Sequence, residues 1–193
     1  MCIRDRGNAD RIQLLLAESQ LLRDGGRTQE AYELLAGGLA TQPEQSELLY
    51  ESALLAEKLG RHEAMEASLR KLIRLKPEHA HAYNALGYSF AERNQRLEEA
   101  EQLVLKALQL SPDDPFIIDS MGWVLYRKGD NQGALAHLQR AFSIRPDPEI
   151  AAHLGEVLWA LGRRDEAKRI WQEAAKAHPG NEVLAEVIKR FAP

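Results

Sequence analysis

Apolar residues recur along this 193-residue chain at helical spacing. Ile118, Met121, Gly122 and Leu125 follow i, i+3, i+4, i+7, and Leu135, Leu138 and Phe142 resume the pattern after a polar break. At about 100° per residue, such spacing gathers apolar side chains on one face of an α-helix. The breaks are as regular as the helices. "LGRH" at 59–62, "KGDN" at 128–131 and "LGRR" at 161–164 read as tight turns, and Pro43, Pro77, Pro112, Pro146 and Pro179 stand 34, 35, 34 and 33 residues apart. Asp114-Pro115 and Asp147-Pro148 each place a capping carboxylate before a proline at the first helical position, where its missing N–H costs nothing.

Small residues share the period. Gly87, Ala100 and Ala107 precede Pro112; Gly122, Ala134 and Ala141 precede Pro146; Gly155, Ala167 and Ala174 precede Pro179. Each stretch therefore reads as two antiparallel helices of about thirteen residues. The first crosses the second where anything beyond a methyl would push the backbones apart. Gly87 to Ala100 is one residue longer than its counterparts, which places the extra residue in the turn around Arg93–Arg96.

This punctuation resembles the tetratricopeptide repeat, with Leu-Gly and an aromatic on the first helix, then Ala, a bulky residue, Ala and Pro. The resemblance implies an all-α fold, a right-handed α-solenoid of antiparallel helix pairs. The units are expected at 12–45, 46–79, 80–114, 115–147 and 148–181, followed by a capping helix and tail at 182–193. Ala53 and Met65 replace the usual Gly and Ala in the second unit, Leu72 replaces its later Ala, and Ser19 and Gly38 stand at the small positions of the first. Residues 1–11 are expected to lie outside the array. "MCIRDR" resembles a translated sequencing adaptor, which implies that the natural protein continues upstream and that Cys2 carries no chemistry. Units three to five also resemble the C-terminal part of longer proteobacterial tetratricopeptide proteins, many of them periplasm-facing lipoproteins of the outer membrane and some of them adaptors. That likeness implies a bacterial envelope location, with any membrane contact made indirectly through a lipid anchor in the upstream part.

In such a fold the first helices line a concave groove. Unit positions 4, 7, 8 and 11 form the core face, so positions 2, 5, 9, 12 and 13 are expected to face the groove. They are Tyr50 and Leu54; His81, Asn84 and Tyr88; Phe116, Asp119, Trp123, Tyr126 and Arg127; and Glu149, Glu156 and Trp159. Tyr88, Trp123, Tyr126 and Trp159 form a candidate aromatic stripe, a residue class that dominates interface hot spots. Trp171, at the bulky position of a second helix, reads as core. Glu47, Glu57, Glu92, Asp119, Glu149 and Glu156 outnumber Lys58 and Arg127 around the stripe. An acidic aromatic groove suits an apolar or basic peptide and argues against a clamp for acidic C-terminal tails.

Composition narrows the remaining classes. Leu, Ala, Glu, Arg and Gln favour helix, and the net charge of −4 leaves no basic footprint for nucleic acid. One cysteine excludes an internal disulfide and a Cys-rich zinc site. His79 and His81 lie about 200° apart around a helix, so they cannot chelate from one face. With neither a nucleophile motif nor a ligand cluster, the sequence points to a non-catalytic protein- or peptide-binding adaptor without metal or cofactor. A structural spacer or self-association module within a longer repeat protein is the alternative.

Overall fold

The computed structural model describes residues 3–191, with side chains from Asp10 onward. Met1, Cys2, Ala192 and Pro193, parts of the two expected terminal segments, lie outside the described residues. Among those described, all regular structure is helical: α1 (Ile3–Asp24), α2 (Thr28–Thr41), α3 (Ser46–Lys58), α4 (His62–Leu75), α5 (Ala80–Glu92), α6 (Leu97–Leu110), α7 (Pro115–Lys128), α8 (Asn131–Ile144), α9 (Pro148–Ala160), α10 (Arg164–Ala177) and α11 (Glu182–Phe191). The all-α fold class and its antiparallel pairs are as the sequence implies. Helix α1 begins at Ile3, upstream of residue 12.

The chain divides into two compact units, one running to Leu86 and the other from Gly87. In the first, α1 pairs with α2 and α3 with α4, and α2 also packs on α3. Ile12, Ala31, Leu35, Leu48 and Leu55 form its buried cluster. In the second, α7 pairs with α8 and α9 with α10, while α6 packs on α7 and α8 on α9. Helix α11 lies against α9 and α10.

Local chemistry sets the boundaries. The Asp114 carboxylate accepts from the Phe116 and Ile117 amides at 2.9 and 3.2 Å, and Asp147 accepts from the Glu149 amide at 3.0 Å. Both aspartates thereby satisfy helix-end donors that would otherwise be orphaned. Asp130 does the same for Gly133 at 2.9 Å. Each of the five spaced prolines falls between helices, where no amide donor is required.

The close crossings are also where the small residues stand. A methyl on Gly122 would lie 2.6 Å from Leu138 Cγ and 3.2 Å from the Ala134 carbonyl, and one on Gly87 would lie 2.9 Å from the Ala100 carbonyl. At Gly155 the pattern changes: the space is taken by the Trp171 indole rather than by Ala167. That ring is fully buried, as its position in the repeat implies, and its Nε1–H donates to the Ala152 carbonyl at 3.3 Å.

Candidate functional site

In the second unit, α5, α7, α9 and α11 border a groove of ≈ 1010 Å³. The first three bring Tyr88, Trp123, Tyr126, Arg127, Glu149 and Glu156 together on it, all residues read from the sequence as groove-facing. Tyr88, Trp123 and Glu156 hold the same position in three consecutive repeats, so stacking of the repeats carries one helix face onto the next.

The floor of the groove is built around a histidine. His153 Nδ1–H donates to the Asp119 carboxylate at 2.9 and 3.0 Å, and both residues are buried. The imidazole stacks on the Trp123 ring with centroids 4.1 Å apart and planes at 21°. Its Nε2 lies 3.4 Å from the Tyr88 hydroxyl, and the Glu92 carboxylate stands close enough to that hydroxyl to disfavour its ionisation. A polar chain therefore runs from Asp119 on α7, through His153 on α9, to Tyr88 on α5, with the exposed Glu92 beside it. Burial pulls the His153 pKa down, but the Asp119 carboxylate and its hydrogen bond, with Glu92 and Glu156 behind them, carry it above the ordinary value. Burial also raises the Tyr88 hydroxyl, and the carboxylates of Glu92, Asp119 and Glu149 raise it further.

Three expectations need correction. Trp123 is only 5% exposed: it borders the groove but is packed between His153 and Tyr126, with ring centroids 5.2 Å apart in the Tyr126 contact. Its Nε1 is buried without an acceptor. Asp119 is buried behind the histidine and does not line the groove. Glu156 lines it but is buried and ion-paired with Arg190 of α11. Burial raises the Glu156 carboxyl, and Arg190 and His153 oppose that rise. The groove is therefore less acidic than the sequence count suggests, since Asp119 is withdrawn from it and Glu156 is answered by Arg190. Glu149 and Glu186 make no ion pair among the described residues.

Two other expected residues sit elsewhere in this unit. Trp159 stacks with Trp171 and meets Phe191 at a tilt, with centroids 5.9 Å apart in both contacts, beneath the Arg164 guanidinium at 5.2 Å. Phe116 is exposed under the Arg145 guanidinium at 5.1 Å. Neither borders the groove. In the first unit, Tyr50 lines a separate pocket of ≈ 330 Å³ with Arg23, Lys76 and His79, its ring 5.2 Å from the His79 ring. Leu54 and Asn84 are half-buried, with Asn84 Oδ1 left without a donor, and His81 is exposed.

Sequence reasoning missed His153 and the α11 wall of Val183, Val187, Arg190 and Phe191. A signal for the histidine was present, because Asp119 and His153 are 34 residues apart, one repeat period. Among the described residues no group of three or more His, Cys, Asp or Glu is placed to hold a metal ion, and no helix is long and apolar enough to cross a membrane.

Comparison with known proteins agrees with this architecture. Three sequence profiles described as the tetratricopeptide repeat match residues 46–79, 64–115 and 125–189. The TPR repeat-containing protein PA4667 of Pseudomonas aeruginosa is 46% identical over 145 residues, covering 75% of this chain and 25% of its own length. The human protein O-mannosyl-transferase TMTC1 is 26% identical over 191 residues, covering 95% of this chain and 21% of its own. The chain thus spans about a quarter or less of these curated relatives. The crystal structure of TTC0263, a thermophilic TPR protein of Thermus thermophilus, superposes with a TM-score of 0.81 at 25% identity, over 93% of this chain and 96% of that one.

Proposed function

We propose that this chain, which belongs to the tetratricopeptide repeat family, is a non-catalytic scaffold that receives a protein or peptide segment in the groove of its second unit. Repeats of this fold generally mediate protein–protein contact and typically carry no catalysis. The transferase activity in the human relative's name stays with that protein.

The observation that carries the reading is the groove itself. Tyr126 and the edge of the buried Trp123–His153 stack supply apolar contact, while Glu149 and Glu186 offer unanswered negative charge. Rigid aromatics beside carboxylates favour a segment with aliphatic and basic side chains. A bacterial envelope location belongs to the same proposal and is supported by the likeness of units three to five to periplasm-facing repeat proteins.

The test is cross-linked capture from separate envelope and cytosolic extracts of a proteobacterium, with the chain and a Tyr126→Ala/Glu149→Lys variant as baits. A partner taken from the envelope by the unaltered chain alone supports both halves of the reading. Equal capture by the two baits removes the groove as the binding site, and capture only from cytosol removes the envelope location.

A further inference from the structure

In α3, α7 and α9 the third and tenth positions of a repeat's first helix dock on the repeat before it. In α3 these are Leu48 and Leu55, which share a buried cluster with Ala31 and Leu35 of α2. In α9 they are Ile150, clustered with Ala141 of α8, and Val157, clustered with Ala134 and Leu138 of α8. In α7 they are Ile117 and Val124. All six side chains are 1% exposed or less.

The same two positions of α1 are Leu14 and Leu21, and they are 67% and 73% exposed. Exposure of an isolated leucine needs no explanation, but these two stand seven residues apart on one helix face with exposed Ala17 between them. The residue types and spacing match Leu48 and Leu55, which α2 covers completely.

We infer that the Leu14–Leu21 face of α1 is the docking surface for the second helix of a further repeat hairpin, one that precedes α1 in the parent polypeptide. The comparable faces of α3, α7 and α9 are each covered by the hairpin directly before them in sequence. The match to a quarter of the Pseudomonas relative's length leaves ample polypeptide to supply such a hairpin. Among the described residues, two leucines and an alanine are a small patch beside the roughly 800 Å² per partner that a stable dimer ordinarily buries, which disfavours a second copy as the occupant. The inference is independent of the groove.

The test duplicates residues 12–45 and inserts the copy between positions 11 and 12, so that a second α2 precedes the original α1. Leu21→Cys in the original α1, in a Cys2→Ser background, reports burial through its rate of reaction with a thiol reagent. Insertion of the copy is expected to slow that rate roughly tenfold or more, as protection by packed structure does. It should also raise the melting midpoint. Leu14→Glu/Leu21→Glu in the original α1 should abolish the midpoint gain in the extended chain and leave the melting of the unextended chain almost unchanged. Unaltered thiol reactivity in the extended chain would overturn the inference. So would sedimentation of the unextended chain as a dimer dissolved by Leu14→Glu/Leu21→Glu, because the face would then belong to a second copy.

Discussion

His153 Nδ1 meets the Asp119 carboxylate at 2.9 Å across 34 residues of sequence, joining the first helices of two consecutive repeats through a buried polar contact. The rest of the groove floor is arranged around this pair. Trp123 covers one face of the imidazole, and Tyr88 approaches its far nitrogen.

Stability should depend on pH through this histidine. Its folded pKa lies above the ordinary 6.5, so its contribution is fully present below that value and is lost as pH rises through the folded pKa. Glu156, also raised, acts in the same direction from its ordinary 4.5 upward. Urea midpoints at pH 6 and pH 8.5 are expected to fall with pH in the native chain and to fall less in His153→Asn. Asp119→Ala is expected to cost about 3–5 kcal/mol, the range for breaking a buried charged pair.

Two helical glycines should respond to substitution with opposite signs. At Gly122 a side chain meets Leu138, so Gly122→Leu should destabilise by about 1–3 kcal/mol through overpacking. At Gly37, exposed within α2 with nothing within 4 Å of an added methyl, Gly37→Ala should stabilise by about 0.5–1 kcal/mol. Chemical denaturation of the two variants checks both.

Trp123→Ala should remove about 3–5 kcal/mol, as expected for truncating a large buried aromatic. Tyr126→Ala should cost much less, because that ring is only half-buried. Near-ultraviolet circular dichroism together with denaturation separates the two. The result matters for binding experiments, since lost binding in a Trp123 variant would not distinguish a contact from a collapsed groove.

Arg190→Ala leaves the buried Glu156 carboxylate without its cation. The expected cost is about 1–3 kcal/mol, discounted because Arg190 itself is half-exposed. Glu156→Gln should recover part of that loss when combined with Arg190→Ala, and a double-mutant cycle measures the coupling.

The helix pairs were legible because turn prolines, capping aspartates and crossing glycines act locally and recur with the period. Groove exposure was less legible. A single-helix projection correctly places Trp123 away from the core face of its own hairpin, but it cannot see that α7 and α9 pack together and that His153 covers the ring. Burial of Asp119 has the same origin. Arg190 escaped notice because a capping helix reads as a lid over apolar surface, and its pairing with Glu156 depends on how that helix lies against α9. Tyr88 and Tyr126 line the groove because their neighbours leave them partly open.

The turn between α5 and α6 holds the array's extra residue. Asn94 and Arg96 there take φ of 53° and 50°, whereas the turns at Gly60, Gly129 and Gly162 each place a glycine at positive φ. Yet α5 and α6 keep 13 and 14 residues, the same lengths as α3 with α4 and α9 with α10. The insertion is absorbed without shifting the phase of either helix. For protein engineering, this exposed corner is a permissive splice point, where an epitope or a fluorophore could be grafted while the faces on both sides keep their register.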